Sequence, residues 1–479
     1  MNQLQTPLFD ALEKFNKRKK VSYHVPGHKN GQVFLDRGNE LYHSLLSIDA
    51  TELTGLDDLH APEGPIHEAE ALLADLYHVK KSYFLVNGST VGNLAMILAT
   101  CTAGDTVVVQ RNCHKSILHG LMLANVKPVF VTPNYEGKWG IAGGIDAEVV
   151  SNALTLYPET KAIILTYPNY YGLAGDLSKI AAIAHEKDIP LLVDEAHGAH
   201  FILGNSFPKS ALTFGADIVV HSAHKTLPAM TMGSYLHVNS SLVDTKNVEF
   251  YLQMLQSSSP SYPIMGSLDL ARAYLASYTE KDQQFLINKI TQFKQKLAAI
   301  NEIELLEPSA EFKKDPLKIT IQSKRGISGF ELQSLLEEKG IYTELADARN
   351  VLFVFPLLKK EADYPFDQTV ELIANAVKGK NGRNIDIMEY KKSNEIMALS
   401  ISYAEMKQTI TKQVSFHEAI GKISSEMVIP YPPGIPLIMA GELITEEKIN
   451  SLMNLIALHC RFHGGTFIKD GKLIVYDKS

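Results

Sequence analysis

The chain has 479 residues, of which 45% are hydrophobic, enough for two or three packed domains. Its formal net charge of -7 argues against nucleic acid as the main partner and favours a small molecule. The three cysteines, Cys101, Cys113 and Cys460, are odd in number and far apart, which argues against a disulfide framework or a CxxC metal site and indicates a reducing cytoplasm.

The amino-terminal segment, residues 1–20, is amphipathic and then basic. It lacks the apolar core that a secretory signal needs, and no later run approaches the ~20 apolar residues of a membrane span. We therefore expect a cytoplasmic protein that does not contact a membrane. Residues 1–50 are expected to form an arm ahead of a large domain over residues 51–280.

Within the predicted large domain, short β-branched runs alternate with helical patterns from about Thr106 to Val238. This alternation indicates an α/β fold with a mostly parallel central sheet. The strand-like runs are TVVVQ at 106–110, VKPVFV at 126–131, KAIILT at 161–166, IPLLVD at 189–194 and ADIVVH at 216–221.

Two polar clusters come first in chain order. Gly88, Ser89 and Thr90 open the helical run at 94–100, and backbone N–H groups beside two hydroxyls suit a phosphate, although the same letters also suit an ordinary helix cap. His114 follows the strand TVVVQ, where an imidazole could stack on a flat ring or be a structural residue.

The next cluster is VDEAHGAH at 193–200, again at a predicted strand end. Asp194 there could keep a pyridine nitrogen protonated, because a nearby negative charge favours the cationic form. Zinc held by His197 and His200 is the alternative, but zinc motifs of this kind need helical spacing, and these histidines follow a strand. We expect no metal.

Lys225 lies in His221-Ser222-Ala223-His224-Lys225, just past another strand, where open α/β sheets place their ligands. A lone lysine is usually a solvated surface residue. The small-residue continuation after it predicts non-helical backbone. The four clusters together, all at strand ends on one edge of the sheet, are far more specific than any one of them.

Beyond residue 271 the pattern changes to long helical stretches such as 282–299 and isolated strands such as LKITIQ at 317–322 and VLFVF at 351–355. This pattern predicts a smaller α+β domain over 281–378 and a C-terminal domain over 379–479, joined through the polar segment GKNGRNIDIMEYKK at 379–392.

The sequence resembles the ornithine/lysine/arginine decarboxylases, which have the aspartate-aminotransferase-like fold and use pyridoxal 5'-phosphate (PLP). The resemblance covers nearly the whole chain. The chain is similar to the shorter bacterial members of the family, which lack an amino-terminal wing domain. Besides the clusters above, it is carried by HVPGHKNG at 24–31, LTGLDDLHAPEGPIHEAE at 53–70, SSSPSYP at 257–263 and YPPGIP at 431–436.

The resemblance implies a role for each site residue. Lys225 bonds the cofactor covalently, Asp194 pairs with its ring nitrogen, His114 stacks on its ring, and Lys225 or His224 returns a proton to the substrate. The implied cofactor contacts, including a phosphate contact from Ser258 or Ser259 of a second subunit in a homodimer, are Gly88, Ser89, Thr90, His114, Asp194, Ala196, His197, His221, Ser222, Lys225 and Ser258.

The implied reaction is decarboxylation of a basic amino acid for polyamine synthesis, with arginine preferred, then lysine, then ornithine. A basic side chain requires acidic recognition, for which we expect Glu344, Asp347 or Glu442, although each could be a solvated carboxylate. An aminotransferase or aldolase on the same fold, or a catalytically silent PLP-binding paralogue, are the alternatives.

Overall fold

A computed structural model describes residues 1–136, 139–309, 311–382, 396–431 and 436–477. Most of the expected linker at 379–392 and most of the YPPGIP motif therefore lie outside the described residues. The α-helices of the described residues are, in chain order, α1 Pro7–Asn16, α2 Asp36–Ile48, α3 Pro65–Tyr77, α4 Gly88–Thr100, α5 Lys115–Ala124, α6 Ala147–Leu156, α7 Ser178–His185, α8 Ala223–Thr226, α9 Thr245–Leu255, α10 Tyr262–Ala276, α11 Glu280–Ala298, α12 Gly329–Glu337, α13 Phe366–Val377, α14 Tyr403–Met406, α15 Phe416–Ala419 and α16 Glu446–Ala457.

The strands of the described residues are, in the same order, β1 Lys81–Leu85, β2 Thr106–Gln110, β3 Lys127–Val131, β4 Tyr135–Glu136, β5 Ile141–Ala142, β6 Thr160–Thr166, β7 Leu173–Ala174, β8 Leu191–Asp194, β9 Ile218–His221, β10 Ser234–Val238, β11 Ile303–Leu305, β12 Lys313–Lys314, β13 Lys318–Ser323, β14 Leu345–Ala346, β15 Asn350–Val354, β16 Ile396–Ala398, β17 Thr411–Ser415, β18 Val428–Tyr431, β19 Arg461–Gly464 and β20 Lys472–Tyr476.

The chain divides into two compact units, each made of segments that are discontinuous in sequence. The first unit comprises Met1–Thr100, Ala184–Asn205 and Lys209–Thr279, and the second comprises Cys101–Ile183, Ser206–Pro208 and Glu280–Ser479. The four-part division expected from the sequence stays a prediction.

In the first unit the strand order is β1-β10-β9-β8. Strands β8 and β9 are parallel, whereas β10 is antiparallel to both β9 and β1. Three of these four strands therefore run in one direction, and the residues that follow them lie at the same edge. Those residues begin at Val86, Glu195 and Ser222.

In the second unit β2 lies between β6 and β3 and is parallel to both, and β16 pairs antiparallel with β3. All five residues of β2 are buried, as expected for a continuous apolar run in a parallel sheet. The expected strands at 106–110, 126–131, 161–166, 189–194 and 216–221 are all confirmed as β2, β3, β6, β8 and β9.

The remainder of the second unit is α+β. Strands β11, β13, β15 and β14 form an antiparallel sheet, in which β13 and β15 confirm the strands expected at 317–322 and 351–355. Helix α11 confirms the helix expected at 282–299, and its Phe293 contacts Phe355 at 4.9 Å between ring centroids. Farther along the chain, the pairs β17-β20 and β18-β19 share an apolar core around Val428, Ile438 and Leu473.

Among the described residues, no helix is long and apolar enough to cross a membrane.

Candidate active site

Helix α4 begins directly after β1 at Gly88, whose φ of +77° is readily available only to glycine. The start of this helix offers backbone N–H groups to an anion. The next residue, Ser89, is half-buried, and its hydroxyl accepts a hydrogen bond from the Ser222 hydroxyl at 2.8 Å. Thr90 is exposed. The structure thus brings Gly88, Ser89 and Ser222 together as expected for a phosphate site.

Asp194 ends β8 with only 3% of its surface exposed. Its carboxylate accepts hydrogen bonds from the Asn93 side-chain amide at 2.9 Å and from the Ala196 backbone N–H at 3.2 Å. Burial raises the pKa of Asp194 above its usual range, and the charge of Lys225 opposes that shift. A further cation beside this carboxylate would stabilise its ionised form.

Lys225 lies in α8, a single helical turn that follows β9. The Lys225 N–H bonds the Ser222 carbonyl and the Leu227 N–H bonds the Ala223 carbonyl, and the continuation from Leu227 to Ala229 is non-helical as expected. The Lys225 Nζ lies 3.2 Å from Nε2 of His197, a residue with 5% of its surface exposed. The amine therefore has a titratable hydrogen-bond partner.

His224 is held differently. Its Nδ1 lies 3.0 Å from the Gly233 carbonyl oxygen, to which its backbone N–H also donates. Since a carbonyl only accepts, Nδ1 carries the proton in this bond. The Lys225 amine is within hydrogen-bond distance of His197, and the proton-donor role of His224 stays a prediction.

The His221 side chain lies inside the protein. It is fully buried, with Nε2 at 2.9 Å from the Glu195 carboxylate and Nδ1 at 3.1 Å from Nε2 of His237. Both ring nitrogens are therefore engaged inside the protein, and the expected contact of His221 with a phosphate stays a prediction. Its partners lie on neighbouring strands and were not apparent from the local motif.

In the second unit, His114 caps helix α5. Its Nδ1 accepts a hydrogen bond from the Ser116 N–H at 3.3 Å and lies 2.8 Å from the Ser116 hydroxyl oxygen. Accepting at Nδ1 places the proton of the neutral ring on Nε2. These contacts fix the ring orientation, and its stacking on a cofactor stays a prediction.

The Glu442 carboxylate is engaged within the second unit, and its substrate role stays a prediction. The carboxylate, 6% exposed, pairs with Arg111 at 2.9 Å and Lys448 at 2.7 Å and accepts the Met439 N–H at 3.0 Å. Burial acts to raise its pKa, but Arg111 and Lys448 outweigh burial and lower it. Glu442 is already neutralised within the second unit.

Asp347 is likewise occupied. Its carboxylate accepts the N–H groups of Arg349 and Asn350, each at 2.7 Å, the Asn350 side-chain amide at 2.8 Å and the Tyr171 hydroxyl. These bonds fix the turn between β14 and β15, and the substrate role of Asp347 stays a prediction. Glu344 is exposed, and its substrate role stays a prediction.

The exposed serines of the SSSPSYP segment lie beside the phosphate loop of their own unit. The Ser257 N–H donates to the Asn87 side chain at 3.3 Å, and its carbonyl lies 2.9 Å from Nε2 of His60. The contact of Ser258 with a second subunit stays a prediction.

Sequence reasoning missed Asn93, which orients Asp194, although the helical pattern starting at Gly88 placed it one turn into α4. It also gave His197 no role beyond cofactor contact.

The residues of the first unit fit a phosphate-bearing pyridine aldehyde. The pKa of the buried Asp194 carboxylate is raised by burial, the charge of the nearby Lys225 amine opposes that shift, and serine hydroxyls meet at a helix start. These are the contacts needed by a ring nitrogen, an aldehyde and a phosphate.

Comparison with known proteins agrees with this chemistry. Residues 6–312 match the family model described as Orn/Lys/Arg decarboxylase, major domain, and residues 386–464 match its C-terminal domain. "Arginine decarboxylase" of Bacillus subtilis (strain 168) is 34% identical over 459 residues, covering 94% of this chain and 93% of that protein. "Uncharacterized protein YaaO" of the same strain is 47% identical over 485 residues, covering 99% of each chain.

Among solved structures, Francisella novicida lysine decarboxylase LdcF matches with a TM-score of 0.84 at 22% identity, covering 99% of this chain and 81% of that one. At this identity the match shows the fold, which confirms the α/β class with its mainly parallel central sheet. The resemblance stated from the sequence motifs is likewise confirmed.

Proposed function

The chain belongs to the Orn/Lys/Arg decarboxylase family, and from that premise we propose that it removes CO2 from arginine to give agmatine. The coarser assignment, a PLP-dependent decarboxylase acting on a basic amino acid, follows from the family itself. The observation that carries the choice of arginine is the 34% identity to an arginine decarboxylase over 94% of this chain. Lysine is the second choice and ornithine the third.

Four further assignments belong to the proposal. The amine product feeds polyamine synthesis, the enzyme acts in the cytoplasm, the active unit is at least a homodimer, and Ser258 contacts the phosphate in the partner subunit. A symmetric pair fits an active site completed in trans.

Bound PLP supplies a ring that takes up the electron pair released when the bond between Cα and the carboxylate breaks. Asp194 holds a negative charge beside the ring nitrogen, and Asn93 fixes the orientation of that carboxylate at 2.9 Å. Because Asp194 is buried, its interaction with a positive nitrogen is weakly screened by water. By keeping that nitrogen protonated and positive, Asp194 would let the ring accept the electron pair.

Lys225 is the nucleophile that attaches the cofactor, and it attacks only as a neutral amine. Nε2 of His197, 3.2 Å from Nζ, is placed to accept the proton that the ammonium loses. Ser89 and Ser222 bind the phosphate with the first N–H groups of α4, and Thr90 adds a hydroxyl from the exposed side. His114 stacks on the ring, while Lys225 returns a proton to Cα, with His224 as the alternative donor.

The substrate assignment is tested with purified protein, PLP and equal concentrations of L-arginine, L-lysine or L-ornithine. We expect CO2 release with agmatine as the main product, and smaller yields of cadaverine or putrescine. Lys225→Ala protein and D-arginine serve as controls. Formation of a keto acid in place of an amine, or a higher kcat/KM for lysine or ornithine than for arginine, would contradict the proposal.

A further inference from the structure

Four buried polar side chains of the first unit form a continuous line of hydrogen-bond contacts: Glu195, His221, His237 and Ser82. The Glu195 carboxylate lies 2.9 Å from Nε2 of His221, Nδ1 of His221 lies 3.1 Å from Nε2 of His237, and Nδ1 of His237 lies 2.8 Å from the Ser82 hydroxyl. Three of these residues are fully buried and Ser82 is 1% exposed. This line begins at the residue next to Asp194.

Asp194 and Glu195 are adjacent carboxylates, 3% and 0% exposed. Glu195 accepts hydrogen bonds from the Ser210 hydroxyl at 2.7 Å and the Ala211 N–H at 3.1 Å. Two neighbouring buried negative charges disfavour each other, and one of them would take up a proton unless a positive charge compensates it.

We propose that His221 is a positioning residue: as an imidazolium it compensates Glu195 and so leaves Asp194 ionised for the ring nitrogen of the cofactor. The proposal rests on the role given to Asp194 in the proposed function. It extends that role to two residues, Glu195 and His221, which touch neither cofactor nor substrate but set the charge of a residue that does.

The groups facing His221 support this charge assignment. Burial, reinforced by the charge of His221, holds the pKa of His237 well below its usual value, so His237 stays neutral and accepts the Nδ1–H of His221. Tyr77 contacts both rings, at 5.2 Å from His221 and 4.4 Å from His237 between centroids, and burial raises its pKa far above its usual value. Glu195 bonds His221 directly, and the positive charge of His221 also acts to lower the pKa of Asp194.

The position of Glu195 is tightly set. A Cβ at Gly198 would lie 2.5 Å from the Glu195 Cγ, so only glycine leaves room for this side chain. The same turn carries the Ala196 N–H that bonds Asp194 and the His197 ring that meets Lys225. Glu195 therefore connects the buried histidine to the geometry of the cofactor contacts.

The test compares holoenzyme variants by the pH midpoint of the visible absorbance change of the cofactor bound to Lys225. A protonated ring nitrogen lowers this midpoint, because it withdraws electrons from the nitrogen that titrates. His221→Gln leaves Glu195 uncompensated, raises the pKa of Asp194, and should raise the midpoint by about one pH unit. Glu195→Gln removes the like charge and should leave the midpoint unchanged or lower it.

The double variant Glu195→Gln/His221→Gln should return the midpoint close to the wild-type value. A merely structural role predicts that both single variants shift the midpoint in the same direction and that the double variant is the most perturbed, and this result would overturn the proposal. If His221→Gln alone does not fold, the double variant decides, and its failure to fold also overturns charge compensation.

Two further variants separate the possible failures. His237→Gln removes a neutral member of the line and should shift the midpoint less than His221→Gln. Asp194→Asn should itself raise the midpoint. If Asp194→Asn leaves it unchanged, the role of Asp194 in the proposed function fails, independently of His221.

Discussion

Two buried glutamates, one in each compact unit, are neutralised by different chemistry. Glu195 pairs with His221 at 2.9 Å, whereas Glu442 pairs with Arg111 at 2.9 Å and Lys448 at 2.7 Å. A histidine can lose its charge near neutral pH, but a guanidinium cannot. The first pair lies next to Asp194, while the second fixes a chain segment. We infer that the first region serves chemistry and the second serves architecture.

The largest expected effect is that of Lys225→Ala, which should abolish turnover while leaving the fold intact. Covalent attachment of the cofactor needs an amine at the strand-end position of Lys225, and alanine does not supply one. Activity and the thermal unfolding midpoint are measured together, with Lys187→Ala, an exposed lysine of the same unit, as the matched control. Turnover of Lys225→Ala at the wild-type rate would mean that another residue bonds the cofactor. The inference that the first region serves chemistry would then fail.

Next comes Asp194→Asn, which should still bind PLP but lose about a thousandfold in kcat, because a neutral amide does not keep the ring nitrogen protonated. Steady-state kinetics with saturating PLP measure this loss. Asp188→Asn, an exposed position in the same segment, is the control. Near-normal kcat in Asp194→Asn would mean that another group holds the ring nitrogen.

In the architectural region, Arg111→Gln should destabilise the protein by about 3 kcal/mol, since it leaves a buried carboxylate with only Lys448 as its counter-charge. The Arg111 guanidinium also donates to the Pro436 carbonyl at 3.0 Å, and that bond is lost too. Thermal unfolding should show a midpoint lowered by several degrees. The exposed Arg325→Gln is the control. An unchanged midpoint for Arg111→Gln would show that the ion pair contributes no net stability.

A third buried carboxylate sharpens the comparison because, in the described part of the chain, it makes no ion pair. Burial raises the pKa of Glu70 to about 8, and its carboxylate accepts the Phe84 N–H at 2.8 Å. The folded state therefore keeps a proton that the unfolded chain releases above its ordinary carboxyl pKa. Stability should fall as pH rises towards 8.

Between pH 6 and 8 the wild type should lose roughly 2 kcal/mol that Glu70→Gln retains. Unfolding midpoints measured across this pH range, with the exposed Glu68→Gln on the same helix as control, test the difference. Parallel pH profiles for wild type and Glu70→Gln would show that Glu70 is already ionised in the folded protein.

The positions of Asp194 and Lys225 at the ends of strands could be predicted from the residues around them in the sequence. Asp194 and Lys225 each follow a buried strand, and strand ends in an open sheet place side chains at one edge. The contacts of Glu442 and Asp347 were not apparent from the local motifs, because each carboxylate has a partner far away in the chain: Arg111 lies 331 positions from Glu442 and Tyr171 lies 176 positions from Asp347. A motif shows which carboxylates are present but not which cations neutralise them.

His221 illustrates the same limit at short range. The motif SAHK singled out Lys225, but the direction of the His221 side chain depends on β10, which supplies His237. The α8 turn also escaped prediction, because the two bonds that close it are made in a run too short to show helical periodicity.

The central claim is that Lys225 holds the cofactor. Purified protein is reduced with borohydride, digested and examined by mass spectrometry for a pyridoxyl group on a lysine. We predict that the modified peptide contains Lys225, that absorbance of the visible band is lost in parallel, and that Lys225→Ala protein yields no modified peptide. A pyridoxyl group on a different lysine, or an equal yield in Lys225→Ala, would contradict the account.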